Sequence, residues 1–188
     1  MVDKKLVIGL AGMPGSGKSI VVNVAKENGY SVVVMGDVVR EETAKRGLEL
    51  TPHNVGKVML DLREKEGAEV IAKRCIPKID ASTRGKVIID GLRSLHEVDE
   101  FKKYFPSFRL LAIHSSPETR FRRLYNRRRS DDPDGWTVFH ERDMRELCVG
   151  LGNVIAMAES IVVNEEAYDI VKERARNVLL EVEKKWKT

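Results

Sequence analysis

The segment from Gly12 to Ser19 has the residue types and spacing of a phosphate-binding loop. It reads G-M-P-G-S-G-K-S, which fulfils the pattern GxxxxGK[ST]. The apolar run before it predicts a strand over 5–11, and the run after it predicts a helix over 18–28. Glycines let consecutive backbone N–H groups turn inward, and the helix dipole adds about half a positive charge at that end. The site predicted for a nucleoside triphosphate comprises Gly12, Pro14, Gly15, Ser16, Gly17, Lys18 and Ser19.

Three polar side chains are predicted to hold the triphosphate and its metal ion. Lys18 is expected to reach the β- and γ-phosphates, and the Ser19 hydroxyl is expected to ligate Mg²⁺. A strand predicted over 86–90 ends in Asp90, which fits the carboxylate that holds Mg²⁺ directly or through a water. An Asp at the end of a strand is also common as a helix cap or turn former, but the loop motif favours the metal role.

Two arginines each stand three residues after an acidic residue at the end of a predicted strand. Asp37 and Arg40 follow the strand predicted over 31–35, and Arg93 follows Asp90 in the same way. Ligands of open α/β sheets bind at the carboxyl edge of the strands. Arg40 and Arg93 are therefore candidates for a clamp on one anionic group. Ion pairs with neighbouring glutamates at the surface explain the spacing equally well.

Six arginines fall within a helix predicted over 117–129. At helical spacing Arg120, Arg123 and Arg127 share one face, which predicts a cationic surface able to close over phosphates. Two arginines of the next predicted helix are expected to join from the far side: Arg142 and Arg145. A basic run of this kind also fits RNA binding or a solvated face, although the acidic turn that follows it argues mildly against nucleic acid.

Composition bounds the class of protein. The chain has 188 residues, 42% hydrophobic and 33% charged, which is typical of one globular domain. No apolar run approaches the roughly 18–20 residues that span a bilayer. The first residues lead into a strand without a signal peptide, so a cytoplasmic location is expected. The formal net charge of +4 is too small by itself to argue for a nucleic-acid partner.

Short β-branched runs alternate with longer helical patterns, which predicts a parallel sheet covered by helices on both faces. The predicted strands are 5–11, 31–35, 86–90, 109–114 and 160–164. The predicted helices are 18–28, 38–47, 54–79 with a break near Gly67, 94–104, 117–129, 136–147 and 166–186. Two long excursions between core strands, 37–80 and 120–150, are expected to form movable lobes around the phosphate site.

These segments together resemble the nucleotide-kinase branch of P-loop proteins. G-M-P-G-S-G-K-S is similar to the adenylate kinase loop, and M-G-D-V-V-R is similar to the segment of that family in which an Asp precedes an Arg that grips the acceptor phosphate. D-G-L-R resembles the D-G-F-P-R element without its proline, and R-L-Y-N-R-R resembles the lid entry R-I-V-G-R-R. Residues 158–164 resemble dephospho-coenzyme A kinase. The combination most resembles an archaeal family of adenylate-kinase-related proteins.

The resemblance implies a fold and a set of roles. The fold is the P-loop three-layer α/β fold, with a five-stranded parallel sheet in the order 2-3-1-4-5, an acceptor-binding lobe over 37–80 and a lid over 120–150. Arg40 and Arg93 would bind the acceptor, and Asn164 would border the base of the donor. Four arginines would surround the transferred phosphate: Arg123, Arg127, Arg142 and Arg145.

The leading hypothesis is an ATP- and Mg²⁺-dependent kinase that transfers the γ-phosphoryl group to a nucleoside monophosphate such as AMP. Lys18, Arg123 and Arg127 would act on the transferred group by charge and position. Asp37 distinguishes acceptors, because a sugar hydroxyl benefits from a carboxylate base whereas an ionised phosphate oxygen needs none. Two alternatives stay open. One is a hydroxyl kinase of the dephospho-coenzyme A type; the other is a slow ATPase or nucleotide-binding regulator acting on RNA or a protein partner.

Overall fold

The short apolar runs form the strands of one parallel sheet. The computed structural model describes residues 5–129 and 132–187. Outside it lie residues 1–4, where no signal peptide is expected, and two residues of the predicted lid. The strands are β1 Leu6–Ala11, β2 Ser31–Val34, β3 Lys86–Asp90, β4 Phe108–His114 and β5 Ser160–Val163. Within the described residues they pair in parallel in the order β2-β3-β1-β4-β5, which confirms the predicted fold and strand order.

Helices connect the strands and cover both faces of the sheet. They are α1 Lys18–Glu27, α2 Met35–Lys45, α3 Pro52–Glu66, α4 Val70–Asp80, α5 Leu95–Tyr104, α6 Pro117–Arg127, α7 Trp136–Val149, α8 Leu151–Ala156 and α9 Tyr168–Lys187. Two predictions were wrong. The segment from Met35 to Asp37 is the first turn of α2 rather than the end of a strand and a turn. The short helix α8 was not predicted; it begins directly after Gly150, whose φ of 110° ends α7.

Alternate residues of β1 supply two separate layers of core. Val7 packs into a core with residues of α3, α4, α5 and α8 on one face of the sheet. Leu6 and Ile8 pack into a second core, with residues of α1 and α9, on the other face. Side chains alternate between the faces of a strand, so a central strand covered on both sides is buried along its length, and every residue of β1 is buried. The protein therefore has three layers, as predicted.

The segment 37–80, predicted as an acceptor-binding lobe, follows β2 as most of α2, then α3 and α4. Its apolar side chains, including Val58 and Leu62 of α3 and Ile79 of α4, belong to the same core cluster as Val7 of β1. These helices are therefore packed onto the main domain in this structure. Among the described residues, no helix is both long and apolar enough to cross a membrane.

The centre of β1 requires a glycine because an aromatic ring lies against it. A Cβ atom at Gly9 would come within 2.6 Å of Cζ of Phe108 and 3.1 Å of Cδ1 of Leu92. Both neighbours are buried, and overpacking in a core costs about 1–3 kcal/mol. We expect Gly9→Ala to lower the free energy of unfolding by that amount, measured by urea titration.

Gly85→Ala is the matched control for this prediction. Nothing lies within 4 Å of the position that its Cβ would occupy, and its φ is not positive. This variant should be neutral, or stabilise by a few tenths of a kcal/mol through the reduced entropy of the unfolded chain. Equal midpoints for the two variants would contradict the packing argument.

Candidate functional site

The phosphate-binding loop, residues 12–17, lies between β1 and α1 and needs glycine at several of its positions. Gly15 and Gly17 have φ of 80° and 96°, in the left-handed region that other residues rarely adopt. A Cβ at Gly12 would lie 2.7 Å from the carbonyl oxygen of Ile113 in β4, and one at Gly17 would lie 2.1 Å from Nδ2 of Asn164. Ile113 and Asn164 therefore lie too close to the loop for any side chain at Gly12 or Gly17.

Three carbonyl groups of this loop accept hydrogen bonds from side chains of the protein. Lys18 Nζ donates to Gly12 O at 2.6 Å, and Asn164 Nδ2 donates to Ser16 O at 2.8 Å. Arg120 Nη1 donates to Pro14 O at 3.3 Å. The N–H groups at the start of a helix have no intrahelical partners and attract anions. Each of these carbonyl oxygens carries a partial negative charge close to the amino terminus of α1. The hydrogen bonds from the side chains compensate part of that charge.

A cavity of about 240 Å³ opens beside the loop at the carboxyl edge of the sheet. Its wall includes loop residues and the chain that follows β3, together with parts of α7 and α8. The charged side chains among its described lining residues are five cations, Lys18, Arg93, Arg127, Arg129 and Arg142, and one carboxylate, Glu146. An excess of positive charge in an enclosed site favours a polyanion. The cavity is therefore suited to the phosphate groups of a nucleotide.

Lys18 and Asp90 influence each other electrostatically, and their pKa values are shifted in opposite directions. Burial lowers the pKa of Lys18, while the nearby carboxylates of Asp90 and Glu146 act to raise it. Burial raises the pKa of Asp90, and the charge on Lys18 acts to lower it. In both cases burial is the larger effect, because moving a charge out of water disfavours its ionised form. A bound cation or polyanion would compensate part of this desolvation.

The predicted Mg²⁺ ligands agree with the donor chemistry of that ion, which prefers oxygen atoms. Asp90 is the last residue of β3, and its Oδ1 atom is buried without a hydrogen-bond partner in the described residues. Ser19 is exposed in the first turn of α1. The described part of the chain has no group of three or more His, Cys, Asp or Glu side chains arranged around one metal position. Ser19 and Asp90 would thus share the ion with phosphate oxygens or water.

Arg93 is positioned from two sides. Its backbone N–H donates to Oε2 of Glu97 at 2.8 Å, and Glu97 also forms a capping box with Ser94 at the start of α5. The other oxygen of Glu97, which is 1% exposed, accepts from Arg63 of α3 at 2.7 Å. The Arg93 side chain reaches toward Glu146 of α7, with Nη1 3.3 Å from Oε1. The backbone at Arg93 is thus held through Glu97 of α5, and its side chain is directed toward α7 by Glu146.

The arginines predicted to share one face of α6 have different partners in the structure. Arg120 is 4% exposed and forms a two-bond ion pair with Asp143 of α7, at 2.8 and 2.5 Å. Its guanidinium carbon also lies 5.0 Å from the ring centre of Phe139. Arg123 donates to Ser115 and to both oxygens of Asn164. These two arginines bind groups of the protein, and Arg127 is the member of the three that lines the cavity.

A second ion pair holds the chain that follows α6. Arg127 donates to both oxygens of Asp132, through Nε at 2.9 Å and Nη2 at 2.5 Å. The backbone N–H of Arg129 also donates to Asp132 Oδ2, at 2.8 Å. Hydrogen bonds from Arg127 therefore lower the pKa of Asp132. This carboxylate positions two of the arginines that line the cavity.

Several of the predicted site residues lie elsewhere. Asp37 and Arg40 pair with each other, with their side chains about half exposed, and neither lines the cavity. Arg145 is exposed on α7. Asn164 is 2% exposed, and its amide nitrogen and oxygen are both used inside the protein. Of the predicted charged residues, the structure thus gathers Lys18, Arg93, Arg127 and Arg142 in the wall of the cavity.

Four residues of the site are absent from the predicted site residues: Arg129, Glu146, Asp143 and Glu97. A signal existed for Glu97, because S-x-x-E before an apolar run is a capping box and Ser94 to Glu97 fulfils it. Spacing also relates Arg142 to Glu146, four residues apart on one helix face. Asp143 is not distinguishable by sequence from the other acids around it, because its partner Arg120 lies 23 residues away.

The fold and this site define a P-loop α/β protein. The model of a family described as an AAA domain matches residues 11–140. A UPF0200 protein of Methanocaldococcus jannaschii is 50% identical over 179 residues, covering 94% of this chain and 90% of the relative. One from Thermococcus onnurineus is 47% identical, covering 94% of this chain and all of the relative. The chain therefore belongs to the AAA-domain family and to the UPF0200 family of archaeal proteins.

Solved structures of similar fold include two kinases. A shikimate kinase from Bacteroides thetaiotaomicron superposes with a TM-score of 0.64 at 16% identity, covering 93% of this chain and 98% of that one. A gluconokinase from Sinorhizobium meliloti superposes with a TM-score of 0.57 at 14% identity, covering 97% of each chain. At these identities the likeness establishes the fold alone.

The buried pair between Arg120 and Asp143 should matter for stability. Asp143→Ala leaves a buried guanidinium without its carboxylate, which typically costs about 3–5 kcal/mol. We expect urea titration to show a loss of that size. Glu141→Ala, at an exposed acid of the same helix, should change the free energy of unfolding by less than about 0.5 kcal/mol.

A double variant separates the unpaired charge from a general loss of packing. Arg120→Met with Asp143→Leu replaces both charges by apolar groups, so most of the stability lost in Asp143→Ala should return. If the double variant is as unstable as Asp143→Ala, the stability depends on packing or on the hydrogen bonds of Arg120 to Ser115 O and Pro14 O rather than on the charge pair.

Proposed function

We propose that the protein is an ATP- and Mg²⁺-dependent kinase that transfers the γ-phosphoryl group to a nucleoside monophosphate, with AMP as the favoured acceptor. The observation that carries this proposal is the cavity beside the phosphate-binding loop, where five cationic side chains face one carboxylate. Transfer between two phosphate groups concentrates negative charge at one place, and fixed cations stabilise it without reorganisation. The cavity of about 240 Å³ would hold the phosphates, with the bases lying outside it.

The donor half of the reaction rests on the loop and the end of β3. Lys18 would bind the β- and γ-phosphates, and Ser19 and Asp90 would hold Mg²⁺, which supplies charge neutralisation when bound. Asn164 donates to the loop carbonyl of Ser16, and Arg123 donates to the side-chain oxygen of Asn164. In this proposal they support the position of the loop, next to the side on which the donor base would lie.

The acceptor half rests on arginines. Arg93 lines the cavity, and Arg142 reaches it from α7; we assign both to the phosphates that meet there. Arg40 would contact the acceptor from α2 by exchanging its pair with Asp37 for the ligand. AMP is favoured because both arginine segments resemble adenylate kinase. A hydroxyl acceptor of the dephospho-coenzyme A type is the alternative, and the test below includes it.

The positions of the α6 arginines support a phosphate-binding role over an RNA-binding one. Arg120 and Arg123 bond to protein groups, and Arg127 and Arg129 line the cavity. An RNA-binding track needs arginines arranged along an exposed surface. Arg120 and Arg123 are withdrawn from such a surface by their bonds within the protein, and Arg127 and Arg129 contribute to the cavity wall.

Segments 37–80 and 120–150 are proposed as the acceptor lobe and the lid. The buried pair of Arg120 with Asp143 ties α6 to α7, and Arg120 also donates to the loop carbonyl of Pro14. Any closure that keeps this pair intact moves α6 and α7 as one unit. Closure would bring Arg145 closer to the phosphates and exclude water from them.

The experiment that tests the proposal measures ADP formation from MgATP with a panel of acceptors. The panel contains AMP, other nucleoside monophosphates, dephospho-coenzyme A and water alone. We expect turnover that depends on AMP. Lys18→Ala should reduce it by roughly 10²- to 10³-fold or more, because a phosphate-binding cation is lost. Lys26→Ala is the control, since Lys26 is exposed in the last turn of the same helix and should leave turnover unchanged.

Three outcomes contradict the proposal in different ways. Turnover with dephospho-coenzyme A and none with monophosphates would identify a hydroxyl kinase. Slow turnover unaffected by any acceptor would identify an ATPase or regulator. Full activity of Lys18→Ala would exclude the loop as the donor site.

The role of Asp37 distinguishes the two kinds of acceptor. Its carboxylate is about half exposed and paired with Arg40. If the nucleophile is an ionised phosphate oxygen, no base is required, so Asp37→Asn should reduce kcat by less than about tenfold. A loss of several orders of magnitude in kcat would show that Asp37 takes a proton from a hydroxyl, and would contradict the monophosphate assignment.

A further inference from the structure

Glu146 is an acidic residue in a wall that is otherwise cationic. It lies in the last part of α7, four residues after Arg142, and both line the cavity beside the phosphate-binding loop. Its side chain is 12% exposed. Phosphate groups repel a carboxylate, so Glu146 needs partners other than phosphate, and Arg93 supplies one for only one of its two oxygens.

The two oxygens of this carboxylate have different surroundings. Oε1 lies 3.3 Å from Nη1 of Arg93, the cation proposed to bind the acceptor. Oε2 is buried and has no hydrogen-bond partner among the described residues. A buried carboxylate oxygen without a donor is costly, and such atoms in a cavity wall are typical contacts of a ligand.

The group that meets Oε2 is a hydrogen-bond donor or a cation, because an ionised carboxylate has acceptor oxygens only. Ser19 and Asp90 already provide the proposed Mg²⁺ ligands, which favours a donor at Oε2. Phosphate oxygens that are ionised do not donate. A hydroxyl group close to the phosphate does, and in a nucleotide the nearest hydroxyls are those of the ribose. Because Oε1 is paired with Arg93, Oε2 of the same carboxylate would lie close to the phosphate that Arg93 binds.

We propose that Glu146 is a specificity-determining residue that recognises a sugar hydroxyl of the acceptor, so that the protein selects ribonucleotides over nucleotides without these hydroxyls. This inference rests on the proposed function and deepens it, because it specifies the sugar of the acceptor. Arg93 and Glu146 then form one recognition unit, in which the arginine binds the phosphate and the carboxylate binds the sugar beside it.

Calorimetric binding measurements test this proposal without requiring phosphoryl transfer. The full chain, saturated with Mg²⁺ and a non-transferable ATP analogue, is titrated with AMP and with 2′,3′-dideoxy-AMP. A hydrogen bond to a charged group corresponds to roughly ten- to a hundredfold in affinity. We expect the wild-type protein to prefer AMP by that factor and Glu146→Ala to bind both nucleotides with nearly equal Kd.

Two further variants make the result specific. Glu141→Ala removes an exposed acid of the same helix and should keep the wild-type preference. Glu146→Gln keeps the side-chain volume and one acceptor oxygen, so its preference for AMP should be intermediate. It replaces Glu146→Ala in the test if that variant does not fold. A melting curve of each variant reports whether it is folded.

The outcomes separate this inference from the proposed function. Equal affinities of the wild-type protein for both nucleotides would overturn the inference and leave the kinase assignment standing. A loss of affinity in Glu146→Ala that is the same for both nucleotides would also overturn it, since a metal-binding or purely positioning role gives that result. A preserved preference without turnover of AMP would overturn the kinase assignment alone. Binding of neither nucleotide would overturn both.

Discussion

The site depends on how the carbonyl groups of the phosphate-binding loop are bonded. Gly12, Pro14 and Ser16 each direct a carbonyl to a side chain: Lys18, Arg120 and Asn164 respectively. A loop with such carbonyls unpaired would repel an anion. Donors from α1, α6 and the residue after β5 bond to these carbonyls. The geometry of the loop therefore depends on the packing of α6 and on the close approach of Asn164.

The same constraint explains why charged residues behind the site are buried. Arg120 bonds to the loop, but a buried guanidinium is stable only with a carboxylate partner, and Asp143 supplies it from α7. Glu97 plays the corresponding part for the backbone at Arg93. These acids contact no proposed ligand; they determine where the cations stand and in which direction their donors point.

The errors of the sequence analysis have physical causes in particular elements. Helix α8 has six residues, too few for a helical period to be recognised, and it is held by the burial of Leu151 and Val154 in the main core. At Met35 an apolar residue suits a strand and a helix equally, so the end of β2 was placed one residue late. On α6, helical spacing predicts which arginines share a face but not their partners: Arg120 and Arg123 each bond to groups outside the helix.

Local residue patterns are enough to predict the phosphate-binding loop and the sheet around it. The loop glycines, Lys18 and Ser19 lie within eight consecutive residues, and the strands follow from local apolar patterns. Which arginines face the cavity, and that Glu146 joins them, depends instead on contacts formed in the folded protein. A long charged side chain has many rotamers of similar energy. Its direction is therefore set by carboxylates distant in sequence, such as Asp143 for Arg120 and Glu146 for Arg93, and these partners meet only when the chain has folded.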